Sequence, residues 1–248
     1  MKKFLSLFLF SLCFLFSACQ TAPVSESYPF EDLAFEDLTF LEKDAVTNEE
    51  KINNAITTLR DLGFTELSDD MAAQAQEFFL NSPYTDFTTE DVMISLLSML
   101  GGGSYDFDTW TFTPSSSQVY SFDMEVFDIG NMYTQFFQGI MAINNDEFTI
   151  TDIEDYGAVA DEDLDLSLGL RKITFCYNQN PYEFNAKVMY DWFDGDIIGY
   201  MNKVFKKEKN PKRLYYMTDG YQECIIFYCS EEWAAYFSAV TGFTLNQK

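Results

Sequence analysis

Hydrophobic and polar positions change period along the chain, and each change predicts a new element. Thr47-Asn48-Glu49-Glu50 has the spacing of a capping box. Ile52, Ala55, Ile56, Leu59 and Leu62 then fall on one helical stripe, and Gly63 is a natural stop. A second helix starts at Ser68, with Asp69 and Asp70 favouring its positive end and Met71, Ala75, Phe78 and Phe79 facing inward. A third starts near Thr88 or Thr89. From Val92 to Leu100 only Ser95 and Ser98 are polar, so this helix is buried on most sides. Gly101-Gly102-Gly103 ends it. The glycines follow a helix rather than a strand, and no lysine comes after them, so a phosphate-cradling loop fails here. Residues 101–117, with Pro114 and Ser115 to Ser117, read as a flexible connection.

Beyond residue 118 the periods alternate. Tyr120, Phe122, Met124 and Val126 share one strand face, with Ser121, Asp123 and Glu125 on the other. Asp128 then caps a helix whose inner stripe is Ile129, Met132, Tyr133, Phe136, Phe137 and Ile140. Phe148 to Ile153 is a strand. Leu164, Leu166, Leu168 and Leu170 alternate, and the apolar parity then switches to Ile173, Phe175 and Tyr177, which implies a bulge or turn near Gly169 to Lys172. Asn178 to Pro181 turns the chain into a return strand through Tyr182, Phe184, Ala186, Val188 and Tyr190. Asp194 begins a helix with Ile197, Ile198, Met201, Val204 and Phe205 at helical spacing. Arg213 to Thr218 and Tyr221 to Tyr228 flank Asp219-Gly220, a two-residue hairpin signal. Ser230 caps the last helix, with Trp233, Ala234, Phe237 and Val240 inward and Gly242 at its end.

The fold class this order predicts is α+β. A helical region spans residues 45–100. An α+β domain over residues 118–248 follows, with a largely antiparallel sheet and helices packed on it. Cys224 and Cys229 lie five apart on one strand, so they point to opposite faces and do not bond each other. With Cys176 they are either buried thiols or a set in which Cys176 bridges one of the two.

The start of the chain carries an address. Lys2 and Lys3 precede an apolar run from Phe4 to Phe16, too short to span a bilayer as a permanent helix, and Phe16-Ser17-Ala18-Cys19 closes it. This ending resembles the lipobox of bacterial lipoproteins, with Phe16 where leucine is more usual. The resemblance covers about twenty residues of an export signal. It implies that residues 1–18 are removed and that Cys19 is diacylglycerol-modified. It also implies that the mature protein sits at the cell membrane, anchored by lipid and facing outside the cytoplasm. Residues 19–44, with Pro23, Pro29 and the tandem Phe30-Glu31-Asp32-Leu33-Ala34 and Phe35-Glu36-Asp37-Leu38-Thr39, read as an acidic tether, or alternatively as a short docking motif.

Charge narrows the function. The signal takes Lys2 and Lys3 and no acid, so the 230-residue mature chain carries 13 basic and 40 acidic side chains, a formal balance of −27. Such a surface repels nucleic acid and anionic headgroups. Histidine is absent, which excludes Ser-His-Asp and Cys-His catalysis and imidazole zinc sites. Aromatic residues make up 18% of the chain, too many for a disordered polypeptide and enough to line a recognition surface as well as a core.

Candidate chemistry sits in three places. Lys203, Lys206, Lys207, Lys209, Lys212 and Arg213 crowd the end of a helix and the loop after it. They either complement the helix dipole or receive an anionic envelope partner. Asp161, Glu162, Asp163 and Asp165 offer oxygen ligands, but an EF-hand loop from Asp161 would need glycine at Leu166 and glutamate at Lys172, so a solvated acidic edge is favoured. Asp191-Trp192-Phe193-Asp194 joins rings to carboxylates as glycosidases do, against a plainer reading of Trp192 as a core anchor and Asp194 as a cap. No catalytic residue, metal ligand or cofactor is assigned. The expected role is a noncatalytic binding or scaffolding module of the bacterial envelope, attached to the membrane at Cys19 and engaging a protein, peptide or glycan. The alternatives are a histidine-free carboxylate glycosidase and a small solute-capturing lipoprotein.

Overall fold

A computed structural model describes residues 46–83, 86–156 and 169–247. The export signal, Cys19, the tandem repeat and the acidic run from Asp161 to Asp165 lie outside the described residues.

Local signals start the helices. Helix α1 (Asn48–Asp61) opens on the capping box, with Glu50 N–H donating to Thr47 Oγ1 at 3.2 Å and Thr47 N–H to Glu50 Oε2 at 2.8 Å. Gly63, at φ +95°, lets the chain turn off its end. Helix α2 (Asp69–Asn81) is capped by Ser68 and α3 (Thr89–Gly101) by Thr88. On α2 the buried stripe is Ala72, Ala75 and Phe79. Phe78, expected to face inward, is exposed, because it lies about 100° around the helix from Phe79.

Residues 101–117 are not a loose connection. They hold an antiparallel hairpin, β1 (Ser104–Asp106) and β2 (Thr111–Thr113), and the serines after it are tied down. Glu66 accepts from Ser116 Oγ at 2.5 Å and from Ser117 Oγ at 2.6 Å, and Gln118 Nε2 donates to the Gly63 carbonyl at 2.6 Å. Strand β3 (Tyr120–Asp123) follows. Helix α4 (Met132–Ala142) begins later than expected and has no side-chain cap. Asp128 instead accepts from Asn131, Gln135 and Tyr105.

Strands β4 (Ile150–Tyr156), β5 (Leu170–Tyr177) and β6 (Asn180–Lys187) form one antiparallel sheet. Asn178 and Gln179, both at positive φ, make the two-residue turn that pairs Tyr177 with Asn180. Helix α5 (Asp196–Lys207) starts two residues after Asp194, whose carboxylate accepts the N–H of Asp196 at 3.0 Å and of Lys187 at 2.8 Å. Strands β7 (Arg213–Thr218) and β8 (Glu223–Cys229) precede α6 (Glu231–Thr241), which is capped by Ser230 and ended by Gly242 at φ +79°. On α6 Phe237 and Ala234 are buried, whereas Val240 is exposed and Thr241 takes the inward place.

The strands divide among three antiparallel sheets, β1-β2, β3-β8-β7 and β4-β5-β6. All described residues belong to one compact unit, Ala45–Lys248. Its layers run from helices α1–α3 and α6, through the β3-β8-β7 sheet, to α4 and α5, and then the β4-β5-β6 sheet. Strand β8 is therefore covered on both faces. Ile225, Phe227 and Cys229 enter one core, and Cys224, Ile226 and Tyr228 enter the other. No disulfide joins Cys176, Cys224 or Cys229; Cys224 and Cys229 are buried and Cys176 is half-buried. Double coverage also buries Ser121, which the alternation places on a polar face. Its hydroxyl bonds Glu223.

Candidate functional site

Helix α5 presents Ile197, Ile198, Met201, Val204 and Phe205 to the core, so its lysines point outward. The six basic residues do gather at the end of α5 and the start of β7, but three of them are engaged by the protein itself. Lys212 pairs with Glu147 and lies 5.2 Å above the Tyr228 ring. Lys207 lies 4.7 Å above the Tyr182 ring. Arg213 Nη1 donates to the carbonyls of Asn210 and Lys212, each at 2.6 Å. Lys203, Lys206 and Lys209 are exposed, with no ionic partner among the described residues.

Beside this cluster, and lined by none of its basic residues, lies an open cleft of about 300 Å³ between Glu147, Tyr177, Asn178, Glu208, Asn210 and Pro211. Asn210 is its pivot. The amide Nδ2 donates to Tyr228 Oη at 2.6 Å and to Tyr177 Oη at 3.2 Å. Tyr228 in turn donates to Glu147 Oε2 at 3.0 Å, and Glu208 accepts from Tyr182 and Asn180. Burial, followed by the bond to Glu208, pushes the Tyr182 hydroxyl up to about 12. Both carboxylates already hold protein donors, as in a polar network that pins α5 against the β5-β6 turn. The Asp191–Asp194 segment is also spent on structure. Asp194 is buried and receives backbone N–H groups, Phe193 rather than Trp192 is the core anchor, and Trp192 is partly exposed.

A different surface emerges on the hairpin. Tyr105 contacts Phe107, Trp110 and Phe127, with ring centroids at 5.0, 6.2 and 4.8 Å, and Phe107 lies 5.6 Å from Phe127. Phe107, Trp110 and Phe127 remain 63%, 58% and 61% exposed. Their mutual contacts hold them as a platform, and the base beneath it is fixed. Asp106 Oδ1 accepts the N–H of Asp108 at 2.8 Å and of Thr109 at 3.3 Å, which shapes the turn and holds its carboxyl below the usual range. Tyr105 Oη donates to Asp128 Oδ2 at 2.5 Å, and burial and that carboxylate together raise the phenol far above its ordinary value. Ser115 Oγ donates to the Leu100 carbonyl at 2.6 Å, fastening the hairpin to the end of α3. The sequence signal for this surface is the short alternation of Tyr105-Asp106-Phe107 and Thr111-Phe112-Thr113, which a reading of residues 101–117 as loop passes over.

Among the described residues no cluster of three or more Cys, Asp or Glu side chains is placed to hold a metal ion, and no helix is long and apolar enough to cross a membrane. No protein-family model, curated protein or solved structure matches this chain.

Proposed function

We propose that the protein is a lipid-anchored binding module of the bacterial envelope. Acylated at Cys19, it holds its α+β domain outside the cytoplasmic membrane and engages a protein, peptide or glycan without chemical turnover. The observation that carries this reading is the platform of Phe107, Trp110 and Phe127 around Tyr105. Three large rings stay in water yet are braced by hydrogen bonds below. Exposed aromatic patches on a rigid base mark recognition surfaces, and Trp and Tyr dominate binding hot spots. Two separable measurements test the reading. In detergent phase partitioning the native protein enters the detergent phase and Cys19→Ala stays aqueous; equal partitioning of the two removes the anchor. In cross-linking on intact cells, adducts formed by the native protein are lost from a Phe107→Ser/Trp110→Ser/Phe127→Ser variant of unchanged circular dichroism. Identical adducts remove the platform.

A further inference from the structure

The platform occupies the centre of an unusual stretch of charge. From Asp61 to Leu170 the chain carries 22 acidic side chains and no lysine or arginine. Asp106 and Asp108 lie on the hairpin itself, beside Phe107 and Trp110. Asp123 and Glu125 precede Phe127, and Val126 N–H donates to the Asp191 carbonyl at 2.8 Å, which brings a further carboxylate-bearing segment to the same edge. Burial raises the Asp123 carboxyl, the Glu125 N–H that donates to it at 2.8 Å offsets part of the rise, and the nearby charges of Glu125, Asp219 and Asp191 add to it, so these acidic groups lie close together. The basic residues of the domain gather elsewhere, chiefly at the end of α5.

Exposed rings surrounded by carboxylates have a definite complement. The ring faces attract cations and the carboxylates add long-range steering. Arginine suits both, since its planar guanidinium stacks on rings and pairs with carboxylates. Anionic phospholipid is repelled by the same field, and a neutral glycan gains nothing from it. We propose that the platform docks an arginine-rich, basic segment of a partner protein. The segment lays its guanidinium groups over Phe107, Trp110 and Phe127 and its flanking charges against Asp106 and Asp108. This rests on the platform being the recognition surface and adds the chemistry of the occupant.

The test uses the full-length lipoprotein in nonionic detergent, with fluorescently labelled nona-arginine, nona-lysine and chitohexaose as probes followed by anisotropy. Nona-arginine is expected to bind, to weaken as salt rises, and to exceed nona-lysine by about tenfold, because stacking adds to charge. The Phe107→Ser/Trp110→Ser/Phe127→Ser variant is expected to lose that excess while keeping the nona-lysine affinity. Asp106→Asn/Asp108→Asn is expected to weaken both cationic probes. Equal binding of arginine and lysine, an arginine excess that survives in the triple serine variant, or tighter binding of the hexasaccharide would each overturn the proposal. So would concentration-dependent self-association that the serine variant abolishes, since the occupant would then be a second copy. If the cellular adducts are still lost in the serine variant while the peptides fail, the platform stands and only its basic ligand falls. If the adducts persist, the platform falls with it.

Discussion

Tyr105 and Asp128, 23 positions apart, are joined by a 2.5 Å hydrogen bond that ties the β1-β2 hairpin to the segment before α4. Asp128 is buried and also accepts from Asn131 and from Gln135 Nε2 at 2.8 Å. Tyr105→Phe leaves the carboxylate one donor short. The expected cost is about 1–3 kcal/mol in urea unfolding, as for other bonds to a charged group. Amide exchange should speed most across residues 104–113. Unchanged exchange there would mean that the bond does not hold the platform.

Glu66 clamps the α1-α2 connection to the serines before β3. Burial alone would raise its carboxyl, but the donors of Ser116 and Ser117 outweigh it and the group lies below its ordinary 4.5. A depressed acid stabilises the fold above its unfolded value, and that contribution is lost as pH falls through the folded value. Glu66→Gln should therefore melt lower than the native protein near neutral pH, with the gap closing as pH falls below 4.5 and through the lowered folded value. Thermal melts across that range measure it, and a gap that stays constant would refute the assignment.

Glu223 has the opposite sign. Burial raises its carboxyl above 4.5, Asp219 and Asp123 add to the rise, and the hydroxyls of Ser121 and Ser98 only partly offset them. Its stabilising contribution is complete below the unfolded value and is lost as pH rises through the folded one. Glu223→Gln keeps an acceptor for Ser121 and removes the charge. It should raise the melting temperature at neutral pH and give little gain in acid. A lower neutral melting temperature would show that the charge itself is needed.

Arg171 and Asp155 form a buried pair at 2.5 Å, with both side chains 6% exposed. Arg171 also lies 5.2 Å from the Tyr133 ring and donates to the Gly130 carbonyl at 3.2 Å. Arg171→Met alone strands a buried carboxylate and should cost about 3–5 kcal/mol, whereas Arg171→Met/Asp155→Leu should recover most of that loss. Urea unfolding of the native protein, Arg171→Met, Asp155→Leu and the double variant closes the cycle. Additive losses would mean that the pair is not coupled.

Four of the six described helix starts were legible because a cap is a local event: Thr47, Ser68, Thr88 and Ser230 each bond an N–H three residues on, whereas α4 and α5 open without a side-chain cap and begin after the expected Asp128 and Asp194. Strand parity also placed Cys224 and Cys229 on opposite faces. Registers that depend on side chains were less legible. Asp219-Gly220 promises a two-residue turn, yet Thr218 pairs with Cys224, because Asp219 Oδ1 takes the N–H of Tyr221 at 2.8 Å and of Glu223 at 3.2 Å and widens the loop. The basic cluster is visible as a run of letters, but the partner that occupies Lys212 is Glu147, 65 residues away. The platform escaped for a related reason. Strands of three residues are too short to declare a period, and ring exposure is decided by what packs around them.

Strand β8 slips one sulfhydryl under each of its two roofs, Cys224 on one side and Cys229 on the other. The protein thus carries a matched pair of built-in reporters. An alkylating reagent reaches either sulfur only when that half breathes open, and peptide mapping reads the two rates from a single sample. Their ratio tells which half loosens first, with no dye attached and no residue changed.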